Sequence, residues 1–237
     1  MPIEGAVALV TGANRGLGRH FAQQLVERGA ARVYATARRP ESVDLAGVVP
    51  LRLDVTDEAT IRAAAAAAGD VTLLVNNAGI SHWTNLVTGT LDAIRAEMET
   101  NFWGNLAMVR AFAPVLAANG GGAILNVLSA QSWFAYPSTN GYHAAKAAQW
   151  ALTNAVRMEL AEQGTLVTGL HLGAVDTDFS AAYDGPKGDP ADAVRAGLDG
   201  IAAGAIEVLA DDWSAHVKRS LADDPARLYA EIRAGAV

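Results

Sequence analysis

The sequence predicts an α/β protein in which helices cover both faces of a mostly parallel, doubly wound sheet of about seven strands. Short apolar runs alternate along the chain with longer segments whose apolar residues recur every three or four positions. Glycine or a polar residue follows most of the apolar runs, and no segment repeats another. The 237 residues are 51% hydrophobic and 18% charged, and we expect them to form a single domain around one large core.

Composition argues against several functional classes. The net charge of −7, with no basic stretch, argues against nucleic acid as a partner. The chain has no cysteine, and its histidines and carboxylates show no ligand spacing, so we expect neither disulfides nor a metal. The first apolar run, residues 6–10, is too short to span a membrane or to act as a signal. We therefore expect a cytoplasmic protein that binds no membrane.

The first strand, predicted at residues 6–10, leads into a turn that contains Gly12, Gly16 and Gly18. A helical pattern follows and ends near Gly29. Glycines let a phosphate approach the backbone, and the helix N-terminus presents free N–H groups to it. This order predicts a dinucleotide site, although a tight turn that needs glycine only for its dihedral angles would look the same.

The second strand, predicted at residues 32–37, is followed by Arg38 and Arg39. In a dinucleotide site the residue that closes this strand meets the adenosine ribose, and arginine suits a 2′-phosphate where an acidic residue suits a 2′-hydroxyl. Arg38, together with Arg15 in the glycine turn, therefore favours NADP(H) over NAD(H). The alternative is that these arginines are solvated, above all Arg39.

The remaining elements continue the alternation. Asp57 is a candidate N-cap for the second predicted helix, residues 58–68, which is rich in alanine. Further strands are predicted at residues 48–55, 71–75, 123–128, 165–172 and 206–210, and further helices at 58–68, 90–119, 141–163 and 189–204. Asn101 and Gly104 lie inside the long helix and disfavour it, which predicts an inward-pointing amide at a local backbone distortion.

The last part of the chain predicts a loop and a helical tail. Residues 178–190 lack periodicity and are rich in glycine and proline, so we expect a mobile substrate loop that closes over a site. Asp189 or Asp192 should begin the next helix. From residue 211 to 237 the tail is predicted to be helical, and it packs through Trp213, Val217, Leu221 and Leu228.

The candidate catalytic residues lie after the predicted fifth strand. Ser129 follows that strand, and Tyr142 and Lys146 lie four residues apart on one face of the next helix. An ammonium beside a phenol lowers the phenol pKa, and a serine hydroxyl could hold a substrate oxygen while Tyr142 donates or accepts its proton. Taken alone, the Tyr and Lys could equally be ordinary helix residues. The catalytic interpretation gains support because polar or small residues follow the other predicted strands too, at one edge of the sheet: Gly12, Arg38, Asp54, Asn77 and Gly173.

These motifs resemble those of the short-chain dehydrogenase/reductase family in its compact form, over nearly the full length of the chain. Residues 11–18 match the family's TGxxxGxG turn, and residues 76–79 match its NNAG element. Asn101, Ser129, Tyr142 and Lys146 have the order and spacing of its catalytic tetrad. The resemblance implies a Rossmann-like fold and an NADPH-dependent oxidoreductase, a carbonyl reductase or alcohol dehydrogenase, that assembles as a homodimer or homotetramer.

The resemblance also implies a role for each matching residue. Tyr142 would be the general acid/base, Ser129 would orient the substrate oxygen, and Asn101 would hold a water in a proton relay. Lys146 would bind the nicotinamide ribose and lower the Tyr142 pKa. The remaining cofactor contacts would be Gly12, Asn14, Arg15, Gly16, Leu17, Gly18, Arg38, Asp54, Val55, Asn77, Ala78, Gly79, Gly173, Val175 and Thr177. One departure is Leu172, which stands where the family has a proline that would fix the turn supporting the nicotinamide.

Aromatic residues suggest what the substrate is like. An aromatic pocket favours an apolar or aryl carbonyl compound, although several of these side chains could instead be core or subunit contacts. The candidates are His82, Trp83, Trp133, Phe134, Tyr136 and Tyr183. A non-catalytic NADP(H)-binding sensor or regulatory protein on the same fold is the alternative function, and the complete tetrad argues against it.

Overall fold

A seven-stranded parallel sheet forms the middle layer of the computed structural model, which describes residues 1–234. The strands follow the spatial order β3-β2-β1-β4-β5-β6-β7, which confirms the predicted fold class. Because the order reverses between β1 and β4, a crevice opens there at the carboxyl ends of the strands. Their bounds are β1 Val7–Val10, β2 Arg32–Ala37, β3 Val49–Arg52, β4 Leu73–Asn76, β5 Ala123–Val127, β6 Leu166–His171 and β7 Glu207–Leu209.

Helices pack on both faces of this sheet. One face is covered by α1 and α6, whose Phe21 and Leu198 are fully buried, and the other by α2, α4 and α5, with Phe112 among the buried side chains. Burying each such side chain contributes roughly 1.5–3 kcal/mol. The helices are α1 Gly16–Glu27, α2 Glu58–Ala67, α3 Leu91–Met98, α4 Asn105–Ala118, α5 Asn140–Glu159, α6 Pro190–Ala203, α7 Asp212–Ser220 and α8 Pro225–Arg233.

The predicted distortion in the long helix is confirmed. A π-helical turn, Glu99–Gly104, separates α3 from α4, and Asn101 lies in it fully buried. Gly104 is required there because a Cβ at this position would lie 2.8 Å from Cγ2 of Val55. The turn therefore directs an amide inward without interrupting the helical path.

Caps fix several helix starts, as the sequence predicts for two of them. Asp57 accepts the N–H of Ala59 at 2.9 Å, and Asp189 accepts that of Ala191 at 2.7 Å. Asp189, rather than Asp192, therefore begins α6. Helix α1 is different, because its N-cap residue Arg15 makes no side-chain capping bond.

Three predicted boundaries or contacts differ from the structure. Strand β3 is shorter than residues 48–55, because the main chain turns after Leu53 and the N–H of Asp54 goes to the Thr60 hydroxyl at 3.0 Å. Helix α5 ends at Glu159 rather than near residue 163, in a turn that closes at Gly164 with a φ of +75°. Leu221 is 47% exposed at the end of α7 and does not pack as expected, whereas Val217 and Leu228 are buried. The end of the predicted tail, residues 235–237, lies outside the described residues.

The predicted loop, residues 178–190, contains two short regular features. A short 3-10 turn, Asp178–Ser180, begins the segment, and Gly188 pairs with Val175 near its end. The N–H of Asp176 donates to Gly188 O and the N–H of Gly188 donates to Ala174 O, both at 2.9 Å.

Among the helices of residues 1–234, none combines the length and apolar character that a membrane crossing needs.

Candidate active site

A cavity of about 790 Å³ opens at the carboxyl ends of the strands. It runs from the glycine turn after β1 to the start of α5, and it collects nearly all the residues that the sequence singles out. Those that line it are Gly12, Asn14, Arg15, Gly16, Leu17, Arg38, Asp54, Val55, Asn77, Ala78, Gly79, Ser129, Tyr142, Lys146, Gly173, Val175 and Thr177. Gly18 and Asn101 lie behind the wall rather than in it.

The glycine turn is built for close approach of a ligand to the backbone. Gly12 has a φ of +66° and Gly16 a φ of +51°, which favour glycine. A Cβ on Gly18 would lie 2.1 Å from Gly12 O, so only glycine allows the turn to fold over α1. The Asn77 amide locks it by donating to Thr11 O at 2.9 Å. With no side-chain cap on α1, its first N–H groups and its dipole remain available for an anion, and these residues fit a pyrophosphate.

Positive charge gathers at the end of the cavity beyond this turn. Arg15, Arg38 and Arg39 all line it, together with Ser42. Arg39, for which a solvated surface position was the alternative, is therefore part of the same exposed rim. Arg15 also makes a 3.4 Å ion pair with Asp178, but both side chains are mostly exposed, so that pair adds little stability.

The other end of the cavity contains three of the predicted catalytic residues, Ser129, Tyr142 and Lys146. Ser129 follows β5 and accepts the N–H of Gln131 at 3.1 Å, while its carbonyl oxygen lies 3.1 Å from Nδ1 of the buried His171. Tyr142 is in the first turn of α5 and is 9% exposed. The Lys146 ammonium lies 5.6 Å from the centre of the Tyr142 ring.

Burial is the main influence on the protonation of this pair, and it acts against the lowering of the Tyr142 pKa that we expected from Lys146. Burial raises the pKa of Tyr142, and the Ser129 hydroxyl only partly opposes this. Burial also lowers the pKa of Lys146 to about 7, so its positive charge is only partial at neutral pH. The phenol of Tyr142 is therefore protonated at neutral pH and suited to donate a proton.

Asn101 holds the chain segment after β4. Its amide nitrogen donates to Ile80 O and to Glu97 O, both at 2.9 Å, and its Oδ1 accepts the N–H of Ile80 at 3.1 Å. Both functional atoms of the side chain are engaged with the backbone. A water for the expected proton relay would therefore bind the remaining lone pair of Oδ1 or a main-chain carbonyl of the π-helical turn.

Glu97, a residue outside the sequence motifs, is a fully buried carboxylate beside this segment. Its Oε1 accepts the N–H of His82 at 2.6 Å, and Oε2 has no partner among the described residues. A Cβ on Gly141 would lie 2.1 Å from that Oε2, so the carboxylate packs against the start of α5. Burial raises the Glu97 pKa, and the bond from His82 opposes this. Glu97 precedes Asn101 by one helical turn, and that spacing was the available signal.

Aromatic side chains form part of the cavity wall. Trp83, Phe134, Tyr136 and Tyr183 line it, and the rings of Tyr136 and Tyr183 meet edge to face at 6.2 Å. Trp83 has a φ of +51°, a strained conformation for a bulky residue and one that occurs often at functional sites.

Two expected substrate contacts, His82 and Trp133, do not line the cavity. Trp133 stacks on His171 with ring centres 3.7 Å apart, and the Lys218 ammonium lies 4.8 Å from its ring centre, so it is a packing residue. His82 is exposed and contributes its backbone N–H to Glu97. Burial lowers the pKa of His171 to about 3, so this histidine is neutral and acts in packing.

The turn after β6 is fixed without the proline that usually stands at this position in the family that the chain resembles. Leu172 is buried, and its carbonyl accepts the N–H of Ala130 at 2.9 Å. The N–H of the next residue, Gly173, donates to the Asp211 carboxylate at 2.6 Å, and the same carboxylate accepts the Ser214 N–H at 2.7 Å. Asp211 thus ties this turn to the start of α7.

Several cavity residues were missed because they come from distant parts of the chain. Asp211 and Trp213 belong to the start of α7, and Asp211 could have been recognised as an N-cap but not as a cavity residue. The other missed lining residues include Ile80, Ser81, Gln131, Thr139 and Phe179. Within residues 1–234, no group of three or more His, Asp or Glu side chains is arranged to hold a metal ion.

Comparison with known proteins identifies relatives along most of the chain. The family model described as short chain dehydrogenase matches residues 6–187. A 3-oxoacyl-[acyl-carrier-protein] reductase of Vibrio harveyi is 32% identical over 193 residues, which span 78% of this chain and 79% of that protein.

Solved structures also resemble the chain along most of its length. A short chain dehydrogenase from Burkholderia cenocepacia J2315, in complex with NADP, has a TM-score of 0.94 and 41% identity, over 98% of this chain and 99% of that one. A 3-ketoacyl-(acyl-carrier-protein) reductase from Brucella melitensis, complexed with NADH, has a TM-score of 0.81 and 27% identity, over 87% of this chain and 96% of that one.

Proposed function

The chain belongs to the short-chain dehydrogenase family and is an oxidoreductase, and within that class we propose that it is NADP(H)-dependent and acts on a carbonyl compound or secondary alcohol. One observation carries the proposal: a single cavity joins an uncapped helix N-terminus and an arginine rim to Ser129, Tyr142 and Lys146. When bound, the nicotinamide would supply or accept the hydride at the substrate carbon.

Residues of the protein would bind the substrate oxygen and transfer its proton. The Tyr142 phenol, protonated at neutral pH because burial raises its pKa, donates a proton to the substrate oxygen during reduction. The Ser129 hydroxyl holds the same oxygen and fixes its distance from Tyr142. Lys146, which lines the cavity beside Tyr142, holds the nicotinamide ribose. In the oxidation direction Tyr142 would have to accept the proton as a phenolate, and the raised pKa makes that form scarcer at neutral pH.

The arginines at the cavity rim support a preference for NADP(H) over NAD(H). Arg38 closes β2 at the cavity rim with Arg15 nearby, and guanidinium groups bind a 2′-phosphate through several hydrogen bonds. The relative from Burkholderia cenocepacia was solved with NADP, whereas the one from Brucella melitensis was solved with NADH, so the family resemblance alone does not decide between the two.

Replacing Arg38 tests this preference. Arg38→Asp should lower kcat/KM with NADPH by about 10-fold or more, since it removes a charge-assisted bond and adds a repulsive charge. Its effect with NADH should be small. Arg62→Asp, the same charge change on the outer face of α2, is the matched control and should leave both values unchanged. An unaltered ratio of NADPH to NADH activity in Arg38→Asp would show that the 2′-phosphate is recognised elsewhere.

The substrate is proposed to be an apolar or aryl ketone or aldehyde, or the corresponding alcohol. Support comes from the aromatic wall beside Tyr142, where Trp83, Phe134, Tyr136 and Tyr183 surround the space that a substrate would enter. Flat or extended apolar groups pack well against such a wall. A panel of aryl and aliphatic carbonyl compounds, followed by NADPH absorbance, should show higher kcat/KM for the aryl members.

Removing the Tyr142 hydroxyl tests the chemistry. Tyr142→Phe should bind NADPH almost normally and lose at least about 100-fold in kcat, the usual contribution of a general acid. Tyr34→Phe, which removes another buried tyrosine hydroxyl on β2, is the control and should keep its activity. If Tyr142→Phe retains more than a few per cent of turnover, the assigned role is wrong. If the unmodified protein binds NADPH but turns over no member of the panel, the sensor function takes its place.

A further inference from the structure

The Lys146 ammonium is held from two sides, and one of its acceptors is a side chain with no role so far. Nζ donates to Val127 O and to Gln149 Oε1, both at 2.8 Å. An ammonium only donates hydrogen bonds, so the Gln149 atom that faces it is the amide oxygen. Lys146 is 3% exposed and Gln149 1% exposed, so solvent does not compete for either bond.

The main chain at Gln149 is tied to the next turn of the same helix. Gln149 lies one turn after Lys146 on α5, and its main-chain carbonyl oxygen accepts the Thr153 hydroxyl at 2.8 Å. The same hydroxyl accepts the Asn126 amide of β5 at 2.9 Å. Lys146 is therefore bound to β5 through Val127 and to α5 through Gln149. One ammonium N–H is left, and Lys146 lines the cavity.

We propose that Gln149 is a positioning residue of the active site, whose amide oxygen favours the charged form of the Lys146 side chain and directs its remaining N–H into the cavity. The first part concerns the chain alone. The second part rests on the proposed function, because the group that would accept this N–H is the nicotinamide ribose.

The ionisable groups that face Lys146 are uncharged at pH 7, so the hydrogen bond to the neutral Gln149 amide oxygen becomes important for the protonation of Lys146. Tyr142 faces it from the same helix and His171 from β6, and both are neutral at pH 7 because burial raises the pKa of the first and lowers that of the second. Burial also lowers the pKa of Lys146 to about 7. Loss of one hydrogen bond to the charged form would lower this pKa by roughly one to two units, to below working pH.

Lysine side-chain NMR can measure this directly. The chain has three lysines, Lys146, Lys187 and Lys218, so a protein labelled with ¹³C at lysine Cε gives few signals to assign. Gln149→Met keeps the approximate volume but removes the acceptor, and the Lys146 titration midpoint should fall by roughly one unit or more. Gln149→Glu keeps an acceptor and adds a negative charge, so the midpoint should rise. These opposite shifts are not expected from a purely structural residue.

Gln163→Met is the matched control. Gln163 donates to Ala113 O at 3.1 Å and to the Thr165 hydroxyl at 2.7 Å, away from the cavity, so its loss should destabilise the fold without moving the Lys146 midpoint. An unchanged Lys146 midpoint in folded Gln149→Met, or in Gln149→Glu if the first variant does not fold, overturns the proposal.

Cofactor binding provides the second readout. At pH 7.5 the Kd for NADPH should rise by roughly 10-fold in Gln149→Met and stay near the unmodified value in Gln149→Glu and Gln163→Met. Equal loss in both Gln149 variants would contradict the directing role. If the unmodified protein binds no NADPH, the proposed function fails, and the lysine titration still decides whether Gln149 favours the charged form of Lys146.

Discussion

Three ionisable side chains around the cavity, Tyr142, Lys146 and Glu97, are almost or fully out of contact with solvent. Burial disfavours the charged form of each, so it raises the pKa of the two acids and lowers that of the base. A negatively charged Glu97 also raises the pKa of Tyr142. The sequence shows which of these groups are present, but their charge states depend on packing that only the fold reveals.

The raised pKa of Glu97 predicts how the free energy of unfolding depends on pH. Its folded pKa lies above the ordinary carboxyl value, so the folded protein binds more protons than the unfolded chain between those two values. The free energy of unfolding contributed by this group therefore falls as the pH rises through that window, and the full cost is present above it. Glu97→Gln removes the buried charge and should raise the free energy of unfolding at pH 8 by about 1 kcal/mol.

Urea unfolding at pH 8 and pH 4.5 measures this difference, which should shrink at the lower pH, because a larger share of Glu97 is protonated there in the unmodified protein. Glu162→Gln removes an exposed carboxylate after α5 and should change stability little at either pH. If Glu97→Gln is less stable at pH 8, the unpaired oxygen of Glu97 has a stabilising role that the structure does not explain.

Among the secondary-structure elements, α7 has a role near the cavity as well as in packing. Its N-cap, Asp211, is shared between the Ser214 N–H and the Gly173 N–H after β6. This helix therefore supplies the restraint that proline would supply at position 172. The link joins the C-terminal tail to the part of the cavity expected to bind the nicotinamide.

Replacing Asp211 should affect stability and cofactor binding together. Asp211→Ala removes a cap, which costs about 1 kcal/mol, and leaves Gly173 N–H unpaired, which costs roughly 1–3 kcal/mol more. The KM for NADPH should rise several-fold because Gly173 lines the cavity. Asp224→Ala is the control, since Asp224 caps α8 through the Ala226 N–H at 3.0 Å and touches no turn of the cavity. Thermal unfolding and NADPH kinetics that are alike in the two variants would contradict the role of Asp211.

For the molecule as a whole, the sequence predicts the parts that depend on local patterns. The strand and helix alternation and the residues after each strand are local signals, so the sheet, the glycine turn and the positions of Ser129, Tyr142 and Lys146 can be read from it. What could not be predicted are contacts between distant segments. Trp133 looks like a substrate contact until the fold places His171 against it, and Asp211 looks like a simple cap until Gly173 meets it.

Exposed apolar side chains on two neighbouring elements predict that the protein assembles with copies of itself. The π-helical turn packs beside α5, and these elements expose Trp103 at 52% and Met158 at 77% of their surfaces. Large exposed apolar side chains on neighbouring helices are typical of subunit contacts. We predict that the protein at micromolar concentration has a mass of two or four times 24.6 kDa by light scattering. Trp103→Glu should shift it toward the monomer, because a charge would be buried in the interface.

The control is Leu221→Glu, which places the same charge on an exposed apolar residue at the end of α7 and should leave the mass unchanged. A monomeric unmodified protein would refute the predicted assembly. An oligomer that persists in Trp103→Glu would instead place the contact elsewhere, such as the exposed edge strand β7, where Leu209 is 36% exposed. Activity measured across the same dilution series then tells whether the cavity depends on assembly, since a site complete within one chain keeps its kcat when the subunits separate.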